Sequence, residues 1–224
     1  MSADPHSSRG DSVVVIGLGR FGSAVAKALV AMGHDVLAMD MDEDVVQSLA
    51  GELPHVVQAD STELAALRQL SVAEFAHAVV SIGAHLEASV LTVLNLSQMG
   101  IKDIWAKANS PQHGRIAERV GAHHVIYPEA DMGQRVAHLV TGKMMDFIEF
   151  DDGFAIAKTR APMETHNKNL SVAQVRTRHG ITVVGIKRRH QDFIHATADT
   201  EIKPGDHLIV AGKTALIEKF SALF

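Results

Sequence analysis

A continuous β-branched run, Val13-Val14-Val15-Ile16, enters the sequence Gly17-Leu18-Gly19-Arg20-Phe21-Gly22, and an amphipathic segment follows it. This is Gly-x-Gly-x-x-Gly in the setting strand, tight turn, helix, which commits this part of the chain to a βα unit that accepts a nucleotide phosphate. Gly17 allows the turn, Gly19 lets backbone approach phosphates, and Gly22 lets the helix lie close to the strand. Arg20 is the unusual member. A helix N-terminus already carries positive dipole charge, so a cation there is mildly unfavourable unless an anion sits beside it.

The periodicity continues the theme. Strands are expected at Val13–Gly17, Asp35–Asp40, His55–Gln58, Ala76–Ser81, Ile101–Lys107 and His123–Ile126. Helices are expected at Phe21–Met32, after a cap at Asp42, and over Thr62–Leu70, His85–Met99 and Ser110–Val120. Short apolar strands alternating with helices imply an α/β fold, a Rossmann-like doubly wound parallel sheet. A further helix, Glu129–Met144, leaves that sheet. Beyond Met145 the rhythm changes. Strands at Phe147–Phe150, Phe154–Arg160, Ile181–Lys187, Phe193–Ala196 and His207–Ala211 read as a small mixed sheet. A turn at Lys203-Pro204-Gly205-Asp206, a helix over Leu170–His179 and a closing helix, Thr214–Leu223, complete a small α+β domain. The expected organisation is a flexible tail over 1–11, a nucleotide-binding domain over 12–145 and a C-terminal domain over 146–224.

Composition sets limits on function. A net charge of −5 argues against a nucleic-acid-wrapping protein, and the absence of cysteine excludes disulfides and thiolate metal sites. No run approaches 18 apolar residues, and the polar start of the chain lacks the apolar centre of a signal peptide. The expected setting is the cytoplasm. The 14 histidines form no His-Glu-x-x-His motif and read as scattered polar or half-buried residues.

The candidate nucleotide site gathers at the carboxyl ends of the strands, where open α/β sheets bind ligands. Asp40, 18 residues after Gly22, suits the ribose hydroxyls, although NAD, ADP and ATP present the same ones. Asp40 also disfavours a 2′-phosphate. Arg20 reads either as a partner for a terminal phosphate or as a surface residue at the sheet edge. Asp60-Ser61-Thr62 follows the third strand, as a helix cap, an adenine-side loop or both. Ser81-Ile82-Gly83 ends the fourth strand and Lys107 the fifth. Met39 and Met41 read as fillers.

In order along the chain stand GLGRFG, AMDMD, ADST, SIGAHLEAS, IWAKAN and YPEADMG. Together these blocks resemble the KtrA/TrkA-type regulatory subunits of bacterial potassium uptake systems, which contain RCK domains, from about Ser12 to Phe224. The resemblance implies an RCK_N domain followed by an RCK_C regulatory and dimerisation domain, and a regulator rather than an enzyme. It implies a homo-oligomer, with dimers assembling into an octameric ring. The ring would sit at the inner face of the membrane on a potassium translocating subunit of the KtrB/TrkH type, gated by ATP or ADP, or by NAD or NADH. The nucleotide-binding set it implies is Gly17, Gly19, Arg20, Phe21, Gly22, Asp40, Met41, Asp60, Ser61, Ser81, Ile82, Gly83, Lys107, Ala108 and Glu129. Glu129 is also implied to help hold a divalent cation or sodium, with a first-turn acid favoured by the helix dipole as its plain alternative. Leu170, Arg176, Thr182 and Val183 match positions that bind cyclic di-AMP in similar subunits, although Ser171 departs from the aliphatic residue often found there. The alternative from another class is a small NAD-dependent oxidoreductase, which lacks an evident acid–base constellation in the C-terminal part.

Overall fold

The computed structural model describes residues 12–140 and 144–223, and Asp151 only in its backbone. The tail expected over 1–11 lies outside the described residues. The chain divides into two compact units, one running to Glu129 and the other beginning at Ala130.

The first unit alternates without exception. Its strands are β1 (Ser12–Ile16), β2 (Asp35–Asp40), β3 (Val56–Gln58), β4 (His77–Val80), β5 (Asp103–Lys107) and β6 (His124–Ile126). Its helices are α1 (Arg20–Ala31), α2 (Glu43–Leu49), α3 (Leu64–Gln69), α4 (Leu86–Gln98) and α5 (Pro111–Val120). The six strands pair in parallel in the order β3-β2-β1-β4-β5-β6. The order reverses between β1 and β4, which makes the space beyond their carboxyl ends the expected binding crevice. β1 is buried on both faces because its residues feed two cores. Val14 and Ile16 pack with Val93, Leu96 and Ile104, while Val13 and Val15 pack with Ala26, Val36 and Leu49. That explains why its sequence is uninterrupted rather than alternating.

Caps fix several helix starts. Asp42 caps α2 by accepting from Asp44 N. Ser110 accepts from His113 N, and Pro111 occupies the first turn of α5, where a missing N–H costs nothing. Asp60 does not cap α3. Its carboxylate accepts from Thr62 N and Thr62 Oγ1 one turn earlier, closing a local loop, and Glu63 stands at the cap position without a side-chain bond.

His113 is buried between α4 and α5, with Asn109 N donating to Nδ1 and Nε2 3.0 Å from Ser89 Oγ. Burial holds its imidazole below the ordinary histidine range. The unfolded chain therefore binds this proton more readily than the folded one. The stabilisation from the neutral ring is complete above about pH 6.5 and declines as pH falls through the folded value. Urea unfolding at pH 7.5 and pH 5 is expected to show lower stability in acid, and His113→Gln to reduce that difference. An unchanged difference in the variant would assign the slope elsewhere.

The helix expected over Glu129–Met144 is α6, Pro128–Val140, and residues 141–143 lie outside the described ones. From α6, Gln134 bonds Glu149, Arg135 pairs with Asp146, and His138 meets Glu218 and Phe147. These partners all belong to the second unit, which is why the division falls within the first turn of this helix.

The second unit contains β7 (Asp146–Phe150), β8 (Phe154–Arg160), β9 (Lys168–Asn169), β10 (Thr182–Lys187), β11 (Phe193–His195), β12 (Glu201–Ile202) and β13 (His207–Lys213). Five strands form a sheet in the order β11-β10-β13-β8-β7, and β12 pairs with β9. Every pairing is antiparallel, so the mixed sheet expected from sequence is corrected. The short β9–β12 ladder has no sequence signature, because two-residue strands carry no period. The helix expected over Leu170–His179 is two, α7 (Leu170–Ala173) and α8 (Val175–His179), broken at Gln174 with φ of 49°. The helix α9 (Thr214–Ser221) lays Ile217 and Phe220 on Ala157, Ile186, Leu208 and Val210. Among the described residues no helix is long and apolar enough to cross a membrane.

Candidate nucleotide site

The glycine turn is braced from both neighbouring strands. Gly17 adopts φ of +88°, and its N–H donates to Met39 O at 2.8 Å. From β2, Asp40 Oδ2 accepts the Leu18 N–H at 2.6 Å while Oδ1 accepts from Asp42 N at 3.0 Å. From the end of β4, the Ser81 hydroxyl donates to Gly17 O. A Cβ on Gly22 would overlap both Gly17 O and Ser81 Oγ, whereas one on Gly19 would meet nothing within 4 Å. The same motif thus contains one packing glycine and one that faces open space.

Gly19 is also the N-cap of α1, and among the described residues no side chain caps that end. The first-turn N–H groups therefore lack the protein partner that capped helices supply, and with the helix dipole they suit an anion. Arg20 is exposed at the first helical position.

Across the sheet reversal, Lys107 at the end of β5 pairs with Glu129 at 2.5 Å, and its ammonium lies 5.9 Å from the centre of the Phe21 ring. Only 12% of the Lys107 side chain is exposed, against 63% for Glu129. The hydrogen bond from Lys107 holds the Glu129 carboxyl below the usual carboxylate range against the opposing effect of burial, with a backbone hydrogen bond and the Lys107 and Arg20 charges adding to the lowering. Arg20, Phe21, Lys107 and Glu129 therefore form one group. Gly83 joins it from the β4 loop, since a Cβ there would meet Asn109 Oδ1 at 3.2 Å and Lys107 Nζ at 3.3 Å. Asn109 Nδ2 donates to Gly83 O. Asn109 closes the sequence block that also contains Lys107 and Ala108, yet only its geometry reveals that it ties β4 to β5.

Other expected site residues are placed differently. The Ser61 hydroxyl turns inward to Thr92 Oγ1 at 2.7 Å, while Asp60 stays exposed. Asn95 holds the loop through the Ser61 and Thr62 carbonyls. Ala108 is buried, Ile82 is half-buried against Gly17, and Met41 is 64% exposed beyond Asp40. Met39, by contrast, is fully buried in the core. Two histidines are not scattered: His77 hydrogen-bonds Asp103, His124 Nε2 lies 3.1 Å from the same carboxylate, and the His124 ring stacks on Trp105. Among the described residues no three His, Asp or Glu side chains are placed to hold a metal ion.

In the second unit, Leu170 opens α7, Arg176 lies exposed in α8, and Thr182 and Val183 begin β10. The exposed Arg176 and Thr182 flank the Gly180 turn that joins α8 to β10.

Residues 13–128 match the TrkA-N domain and residues 165–224 the TrkA-C domain. Ktr system potassium uptake protein C of Bacillus subtilis is 36% identical over 92% of this chain and 94% of its own. Ktr system potassium uptake protein A of Vibrio alginolyticus is 35% identical over 88% of this chain and 90% of its own. Among solved structures, the GsuK channel bound to NAD superimposes with a TM-score of 0.66 at 17% identity, covering 98% of this chain and 40% of the channel chain. The Kef C-terminal domain of Shewanella denitrificans in its AMP-bound form gives a TM-score of 0.52 at 19% identity, over 58% of this chain and 80% of that one.

Proposed function

The chain belongs to the family that joins a TrkA-N domain to a TrkA-C domain, the Ktr potassium uptake proteins among them, and on that premise we propose that it is a nucleotide-responsive regulatory subunit of a potassium uptake system. The observation that carries the nucleotide part is the uncapped α1 N-terminus, open at Gly19 and flanked by Asp40 and the Arg20–Lys107–Glu129 group. An adenine nucleotide places its phosphates on the first-turn N–H groups and its ribose beside Asp40. ATP, ADP and NAD share the adenosine half, and the GsuK and Kef relatives in the solved structures hold NAD and AMP. Discrimination among them therefore falls to the charged groups around the phosphates.

In this reading the second unit joins copies of the chain, in dimers that close into a ring, and Leu170, Arg176, Thr182 and Val183 take cyclic di-AMP. Glu129 gives its remaining carboxylate oxygen to a sodium or divalent ion held chiefly by the nucleotide phosphates. The partner is a membrane potassium translocating subunit, which places the protein at the inner membrane face. The protein is a regulator rather than an enzyme. A ligand shifts such an assembly only by binding one of its conformations better than the other, so gating requires a group that senses the terminal phosphate. Arg20 is that group, with its guanidinium able to pair with phosphate oxygens in a fork.

Arg20→Gln is expected to weaken ATP binding about tenfold while leaving ADP within about threefold, because the lost contact is charge-assisted and specific to the terminal phosphate. Calorimetric titration of both nucleotides into wild type and variant checks this. Equal losses for the two would remove Arg20 from the sensing role. The broader proposal is tested by potassium flux in proteoliposomes containing a Ktr-type membrane subunit, with and without this chain. Flux that does not respond to the chain in ATP or in ADP overturns it.

A further inference from the structure

The outward face of the second sheet carries positive side chains that the nucleotide site does not use. Along β8 and β13 buried and less buried residues alternate, and Lys158, Arg160 and His207 fall on the side opposite Ala157, Leu208 and Val210. The register sets Lys187 of β10 opposite His207, and His207 opposite Arg160 of β8. With strands about 4.8 Å apart, these three groups form a row about 10 Å long. Lys158 stands two residues before Arg160 on the same face, and Phe193 lies opposite Lys187 at the far end.

Lys187 and Arg160 flank His207 rather than facing each other, and Lys158 lies on the same face as Arg160, so like charges gather on this part of the sheet. The acids nearest the row are already engaged. Asp206 takes Arg188 through both carboxylate oxygens, and Asp146, opposite Lys158, pairs with Arg135. Among the described residues Lys187 hydrogen-bonds a carbonyl, that of Gln191. Among the described residues Lys158 and Arg160 have no acidic partner within ion-pair distance. His207 is held below the ordinary histidine range first by burial and then by the Lys158 and Arg160 charges, against the pull of Asp206.

We propose that the row Lys187–His207–Arg160, with Lys158 beside it, is a binding site for a phosphate-class polyanion of about diphosphate size. Such an anion offers several acceptor oxygens to the Arg160 fork and the two ammonium groups, and it removes the repulsion that the bare row carries. It also reverses the field at His207, so the imidazole takes up a proton as the anion binds. Binding is then coupled to proton uptake at His207. The free anion and a phospholipid headgroup share this chemistry. The site is separate from Arg176 and Thr182, because the row crosses β10 at its other end.

The test uses the full chain, a Lys158→Gln/Arg160→Gln variant and inorganic diphosphate, with the His207 ring signal followed by NMR. In wild type the signal should move on titration and its pH midpoint should rise. In the variant the affinity should fall at least about tenfold, given two lost charge-assisted contacts. Without anion, the variant should melt at the same temperature as wild type or higher. A lower melting temperature would make the two cations structural and overturn the proposal. Diphosphate also suits the glycine loop of the first unit, so Gly19→Ala serves as the control and should leave the His207 response unchanged. Sedimentation with phosphatidylglycerol vesicles, against phosphatidylcholine, separates the sources. Capture of wild type but not variant assigns a lipid headgroup, and a response to diphosphate alone assigns a soluble anion. If neither probe distinguishes wild type from variant, the site does not exist.

Discussion

Gly22→Ala is expected to destabilise the first unit by about 3 kcal/mol or more and to abolish nucleotide binding, an overpacking cost at the upper end of the usual range. The added methyl would overlap the Gly17 carbonyl oxygen, a backbone atom fixed by the turn, and the Ser81 hydroxyl, which is itself bonded to that oxygen. Neither can yield unless the turn and the β4 end separate. Gly19→Ala is the matched opposite. Its methyl would meet no atom of the described residues within 4 Å, so the fold should persist, but it would stand in the space that the proposed function gives to the phosphates. Thermal unfolding and nucleotide titration of both variants give a two-by-two outcome. Equal melting temperatures for the two would mean that Gly22 does not pack against the turn. Retained nucleotide affinity in Gly19→Ala would move the phosphates elsewhere.

Asp40→Ala is expected to cost about 2 kcal/mol of stability and to lower nucleotide affinity at least about tenfold, since a charged acceptor is removed from a buried amide. Its carboxylate accepts from Leu18 N and Asp42 N together, and Leu18 is 3% exposed, so water does not readily replace the lost bond. Each carboxylate oxygen still has a second acceptor direction for a ribose hydroxyl. Asp40→Asn separates the two roles, because it keeps one acceptor oxygen in nearly the same shape. It should recover part of the stability while affinity stays low. Full affinity in Asp40→Asn would leave this residue as a brace for the turn alone.

The first sheet was legible because each of its strands is a short apolar run bounded by turn residues, and its strand ends coincide with the motif residues. Gly17, Asp40, Ser81 and Lys107 are spread across ninety positions of sequence, yet parallel pairing forces all of them to one edge. The directions of their side chains were not legible. Nothing in Asp-Ser-Thr indicates that Ser61 bonds Thr92 inside while Asp60 stays outside, since that choice depends on α4 lying beneath the loop. The second unit was harder for a different reason. Its helix pair breaks at Gln174, a non-glycine residue with positive φ, and no composition signal marks such a break. The resemblance in the ordered blocks supplied the family, while the different surroundings of Gly19 and Gly22 follow from how the turn packs on β4.

The glycine turn is fastened on one side by the Asp40 carboxylate and on the other by the Ser81 hydroxyl. A loop held this way has little ordering entropy left to lose when a ligand arrives. If it takes nucleotides as proposed, it acts as a fixed stamp for the groups they share, with association expected in a single kinetic phase. Differences between nucleotides would then emerge in how long each one stays, set by the exposed charges of Arg20 and Glu129 at the rim.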